Sequence, residues 1–225
     1  MENQTPPLGQ GPAPVEKTTS FAYQARHYTW GHLGAGTKRI WFVAHGYGQL
    51  AAFFLRKFAL LDPAQHYVIA PQGLSKHYLE GFTGRVGAVW MTREDRLNEI
   101  ANYLRYLDGV WAAETGNVDL NGKEIYLFGF SQGTATICRW LVHAGLAYHK
   151  LILWAGEIPP DVLAQLSGSQ IPHRGLCYVH GDQDELVTAA QVERHLQTIA
   201  GQGLVPEVVR YPGGHTVVAE VVAQL

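Results

Sequence analysis

The stretch Lys123–Leu141, KEIYLFGFSQGTATICRWL, decides how the rest of the chain reads. It opens as an apolar, aromatic-rich run, stops at Gly129, meets Ser131, passes Gly133 and then becomes helix-like. Such a run suits a strand buried on both faces, and the residues after it suit a helix. At the junction stands G-x-S-x-G, Gly129-Phe130-Ser131-Gln132-Gly133. Turn punctuation is the plain reading of a serine between glycines. The strand before and the helix after point instead to a nucleophile elbow, a turn too sharp for flanking side chains that lifts the serine Oγ above the sheet.

The same grammar repeats on both sides. RIWFVAHG (Arg39–Gly46), HYVIAPQG (His66–Gly73), KLILWAGE (Lys150–Glu157) and GLCYVHGD (Gly175–Asp182) are short apolar runs ending near glycine. They read as strands of a parallel sheet, with PEVVRYPGG as a last strand and Phe21–Tyr28 as an exposed or edge strand. Helical stretches fall between them. Leu97, Ile100, Leu104, Leu107 and Trp111 form a helix-period stripe, with Thr92 and Asp95 resembling a capping box. Leu50, Phe54, Phe58 and Leu61 mark another helix, stopped by Pro63, and Val192, Leu196 and Ile199 a third, capped by Thr188 and Gln191. Alternation of this kind predicts an α/β fold with a mostly parallel central sheet and helices on both faces. Residues 1–17, rich in Pro, Gly and Gln, read as a disordered tail, and 18–225 as a single domain without internal repeats.

Composition narrows the function classes. A formal net charge of −2 on 225 residues carries no basic excess for nucleic acid or an anionic membrane. Cys138 and Cys177 stand far apart without a CxxC, as expected of reduced thiols. The start has no basic region followed by an apolar one, and no run is long enough to span a bilayer, so a cytoplasmic protein without integral membrane association is expected. There is no HExxH, no P-loop, no GxGxxG after a strand and no metal-ligand spacing among the histidines, so no metal and no cofactor are expected.

A serine hydroxyl needs a base within hydrogen-bond reach and an acid to orient that base, and after an elbow serine the order is Ser, Asp or Glu, His. His143 and His195 lie in helix patterns, while His149 and His173 precede strands at the wrong end of the sheet. His180 closes a strand, where burial and a hydrogen bond are expected. His215, in the glycine-rich YPGGH after the last strand, sits at the serine's edge and is the candidate base. The preceding loop, HGDQDELV, offers Asp182, Asp184 and Glu185, and spacing alone does not choose between the two aspartates.

Four segments together resemble the phospholipase/carboxylesterase group of α/β-hydrolases, which includes the acyl-protein thioesterases: AHGYGQ (Ala44–Gln49), GFSQG (Gly129–Gly133), HGDQDELV (His180–Val187) and GGH (Gly213–His215). The resemblance implies the α/β-hydrolase fold and a Ser131–His215–Asp184 triad, with Asp182 ordering the turn. An oxyanion hole needs two backbone N–H donors. One belongs to Gln132, after the nucleophile; the resemblance of HGYG to the family's HG-apolar-G segment assigns the other to Tyr47. His45 then reads as a structural histidine at a strand end.

Residues 72–90, without helical or strand period, read as a long loop bearing Leu74, Tyr78, Leu79, Phe82 and Trp90. Such a loop near an active-site edge either forms an acyl pocket or packs onto the scaffold, and the resemblance, which places an aromatic-bearing segment here, makes Trp90 the foremost candidate for a substrate contact. The reading that results is a serine esterase acting through an acyl-enzyme on a small-molecule carboxylic ester, a lysophospholipid or an acyl thioester. Its rival is a hydrolase-fold binding protein without catalysis.

Overall fold

The computed structural model describes residues 14–166 and 175–225. Most of the tail expected over 1–17, and His173, lie outside them. The strands are β1 (His27–Trp30), β2 (Arg39–Ala44), β3 (His66–Pro71), β4 (Ser75–Tyr78), β5 (Val86–Val89), β6 (Glu124–Phe130), β7 (Lys150–Trp154), β8 (Leu176–Gly181) and β9 (Glu207–Tyr211). The helices are α1 (Ala51–Phe54), continued by a 3-10 turn over Leu55–Phe58, α2 (Arg96–Thr115), α3 (Gln132–Ala144), α4 (Pro160–Leu163), α5 (Ala189–Ala200) and α6 (Ala219–Val222).

Among the described residues the main sheet runs β1-β3-β2-β6-β7-β8-β9, parallel throughout except for β1, which pairs antiparallel with β3. Side chains alternate between its two faces, as a period of two requires. On one face Ile40, Phe42, Leu127, Leu151, Leu153 and Tyr178 pack with residues of α2, α3 and α5. On the other, Trp41, Val43, Val68, Phe128, Ile152 and Val179 pack with α1, the 3-10 turn and α6. Cys138 lies in the first layer and Cys177 in the second, both as free, buried thiols. No helix among the described residues is long and apolar enough to cross a membrane.

The predicted strands from Arg39 onward all appear. The edge strand expected over Phe21–Tyr28 begins only at His27, and Phe21 and Tyr23 are exposed without regular structure. The capping box at Thr188 and Gln191 forms with both reciprocal bonds. The one read at Thr92 and Asp95 does not. Asp95 adopts a left-handed backbone (φ 50°) and caps α2 without a side-chain bond, while Thr92 Oγ1 and N both donate to Glu99. The buried face of α2 is Tyr103, Leu107 and Val110, whereas Leu97, placed in the stripe, is 75% exposed in the helix's first turn.

Residues 72–90 are not an irregular loop. They contain the antiparallel hairpin β4–β5, attached to the turn after β2 by Gly48 N–H to Ala88 O (2.9 Å) and Ala88 N–H to Gln49 O (3.2 Å). Its first strand reads Ser-Lys-His-Tyr and faces mostly solvent, so hydrophobic periodicity had nothing to report there.

Candidate active site

The carboxyl ends of β2, β6, β8 and β9 bring the candidate residues to one edge of the sheet. After β6 the chain turns at Ser131, whose backbone sits at φ 53°, ψ −118°, a conformation that costs a non-glycine residue roughly 1–3 kcal/mol. It is held by Ser131 N–H to Trp154 O (2.8 Å) and Thr134 N–H to Ser131 O (3.0 Å). The flanking glycines are steric requirements. A Cβ at Gly129 would come within 2.5 Å of Thr134 Cα, and one at Gly133 within 2.1 Å of Ala44 O. Ser131 immediately precedes the N-terminus of α3, and its hydroxyl makes no hydrogen bond among the described residues.

The base and acid come from the two loops beyond. His215 Nδ1 lies 2.7 Å from Asp184 Oδ2. A carboxylate only accepts, so Nδ1 carries a proton, and in the neutral ring that tautomer leaves the lone pair on Nε2. The other carboxylate oxygen, Asp184 Oδ1, accepts from Leu186 N–H (2.9 Å) and Val187 N–H (2.8 Å), and the side chain has no exposed surface. Asp182 is exposed, and its backbone N–H donates to Tyr211 O (3.0 Å), which ties the turn to β9. The structure therefore brings Asp184, and not Asp182, to His215. The His215 ring packs against Phe130, the residue before the serine, at 4.9 Å between centroids.

Sequence reasoning overlooked Tyr211. Its hydroxyl donates to the carbonyls of Gly214 (2.9 Å) and Thr216 (2.5 Å), on either side of His215, and accepts from Trp154 Nε1–H (3.2 Å). A tyrosine closing the last strand four residues before the histidine was the available signal. His180 departs from expectation in another way. It is buried, but its Nδ1 has no partner among the described residues, and burial lowers its pKa.

On the other side of Ser131, the backbone N–H groups of Tyr47 and Gln132 donate to no carbonyl among the described residues. Tyr47 is 59% exposed, and its ring lies 5.4 Å from that of His77. His45 is fully buried, and burial drives its pKa down to about 4. Gly73 N–H donates to Nε2 (2.9 Å), so the ring is neutral with its proton on Nδ1, which donates to Gly46 O (2.8 Å).

Trp90 corrects an expectation. It is 1% exposed, with its ring 4.9 Å from that of His45 and 6.2 Å from that of Tyr103, and Nε1–H donates to His45 O (2.8 Å). An indole enclosed in this way presents almost no surface to an acyl chain. It was placed in the pocket because sequence marks an aromatic residue but not the direction it faces. Among the described residues, no group of three His, Cys, Asp or Glu side chains could hold a metal ion.

No family model matches the chain, and no curated protein matches its sequence significantly. Solved structures do. Esterase PE8 superposes with a TM-score of 0.61 at 18% identity, over 90% of this chain and 97% of that one. Acyl-protein thioesterase 2 of Zea mays gives 0.61 at 16% identity, covering 89% and 96%. The phospholipase/carboxylesterase of Dyadobacter fermentans gives 0.60 at 18%, covering 91% and 97%. The fold is that of the α/β-hydrolases, and its resemblance to the phospholipase/carboxylesterase group extends over nearly the whole of those chains.

Proposed function

We propose that the chain is a serine hydrolase that cleaves carboxylic esters, lysophospholipids and acyl thioesters being variants of the same acyl chemistry. Ser131 Oγ attacks the acyl carbonyl while His215 Nε2 takes its proton. Asp184 holds the ring in the tautomer that leaves Nε2 free and stabilises the imidazolium. The N–H groups of Tyr47 and Gln132 donate to the developing alkoxide. His215 returns the proton to the leaving oxygen or sulfur, and water, activated by the same ring, then releases the acid from Ser131.

The observation that carries this reading is the 2.7 Å bond between His215 Nδ1 and the fully buried Asp184 carboxylate, made beside a serine on a strained elbow. The Ser131–His215 bond is not formed in the resting structure, and catalytic bonds of this kind often tighten only with substrate bound.

A fluorophosphonate probe followed by intact-mass analysis tests the proposal. The wild type should gain one adduct, at Ser131. Ser131→Ala should gain none and lose at least ~10⁴ in kcat on p-nitrophenyl esters while keeping its fold. An unlabelled wild type would mark a non-catalytic binding protein. A panel varying acyl length and leaving group, oxygen against sulfur, then sorts the substrate classes.

A further inference from the structure

The two donors assigned above to the oxyanion hole belong to different segments, and an oxyanion hole works only if both are aimed at one point. Strand pairing does not fix them. The β2–β6 ladder ends at Ala44↔Gly129, short of both Tyr47 and Gln132. Beyond that register the two segments meet through the β4–β5 hairpin and the residue that follows it: Gly48 and Gln49 pair with the backbone of Ala88, and a series of side-chain bonds runs through Trp90.

Gln132 reaches across with its own amide. Its Oε1 accepts from Trp90 N–H (3.0 Å), and its Nε2 donates to Met91 O (2.7 Å). The Trp90 indole N–H then donates to His45 O (2.8 Å) in a fully buried contact. His45 Nδ1–H in turn donates to Gly46 O (2.8 Å). That carbonyl belongs to the same peptide unit as Tyr47 N–H. A trans peptide is planar with its C=O and N–H opposed, so fixing the Gly46 oxygen fixes the direction of the Tyr47 donor. Three residues thus join one donor to the other through neutral bonds, and the two made at His45 are buried, where a hydrogen bond is stronger and an unmade one costlier than in water.

We infer that Trp90 is a positioning residue that holds the Tyr47 and Gln132 N–H groups at a fixed mutual spacing. The inference rests on the serine-hydrolase reading for its catalytic meaning, but the mechanical link it describes does not need turnover to be measured.

The test compares wild type, Trp90→Phe, Gln132→Met and the double variant. Three measurements are made: turnover of p-nitrophenyl acetate, inhibition by an aliphatic trifluoromethyl ketone whose serine adduct carries the oxyanion, and amide hydrogen exchange across 44–49. Trp90→Phe keeps an aromatic ring in the core and removes the N–H. It should lower kcat about tenfold with KM changed less than about twofold, since misaiming a donor costs less than deleting one. Ketone affinity should fall by the same factor, and exchange at 46–48 should quicken. The double variant should lose little more than the worse single one, because both break the same link. A raised KM with kcat unchanged would overturn the inference and make the indole a substrate contact; so would unchanged kcat and exchange. If Trp90→Phe does not fold, Gln132→Met carries the same test from a half-buried position. A wild type without turnover defeats the esterase reading, and the exchange data then still decide whether Trp90 restrains the loop.

Discussion

On the β8–β9 side of Ser131, hydrogen bonds converge on one carboxylate; on the β2 side they run in series to one peptide plane. Asp184 is an ionisable group with both oxygens engaged, and its partner His215 keeps 16% of its side chain exposed. The β2 side has an amide, an indole and a neutral imidazole linked in series, the last of them bonded to the Gly46–Tyr47 peptide. The difference follows from what each half would do. A base must exchange protons with substrate and water, so it needs access and one charged partner. An anion acceptor must keep its aim and gains from dry surroundings, so it is built from buried, uncharged groups.

Replacing single atoms should separate the halves. On the carboxylate side, Asp184→Asn should lose roughly 10² to 10⁴ in kcat, because an amide can stabilise the wrong imidazole tautomer. Asp182→Asn should change kcat less than about tenfold, since only turn geometry is touched. Steady-state kinetics on one ester measures both, and a large loss in Asp182→Asn instead would reassign the acid. On the peptide side the side chain should matter little and the backbone much. Tyr47→Pro, which removes the N–H, should lower kcat by about 10² to 10³, whereas Tyr47→Ala should stay within about threefold. Equal losses in the two variants would move the donor elsewhere.

The smallest effect is on stability. His45 is held at about 4, below its ordinary 6.5, by burial. A base with a lowered folded pKa stabilises the fold fully above the unfolded value and loses that contribution as acid protonates the unfolded chain. For His45 the window is pH 6.5 down to about 4, and the amount is about 3 kcal/mol. Burial lowers His66, His180 and His195 as well, so they act in the same direction. Urea midpoints taken between pH 7 and pH 4 should fall steadily, and less steeply in His45→Asn. A flat profile would mean that the ring is not held neutral.

Local signals were legible in the sequence, and tertiary ones were not. The elbow at Ser131 and the cap at Thr188–Gln191 are complete within a few residues, and both stand as read. The four strands running from Arg39, Glu124, Lys150 and Gly175 were plain because burial on both faces leaves an apolar run. The cap at Thr92 failed because Glu99, one helical turn inside α2, competes for the threonine. Leu97 fits the helical period but lies 75% exposed in the first turn. The β4–β5 hairpin is held by Gln49 and Gly48, far from it in sequence, and its own residues carry little pattern. The choice of Asp184 over Asp182 needed either a resemblance or a structure, because both stand in one turn. Trp90 shows the general difficulty: its neighbours His45 and Gln132 come from two other segments, so its direction is a property of the assembled fold.

The two thiols lie on opposite faces of the sheet, and burial raises Cys138 to about 12 and Cys177 to about 11. Only a thiolate attacks an alkylating reagent, so neither residue reacts until its own layer of helices lifts away. Cys138 belongs to α3 and is buried within the α2–α3–α5 layer, while Cys177, on β8, lies under the layer of α1 and α6. Alkylation rates resolved by peptide mass would therefore time the opening of each layer separately, and the chain carries one natural clock on each side of its sheet.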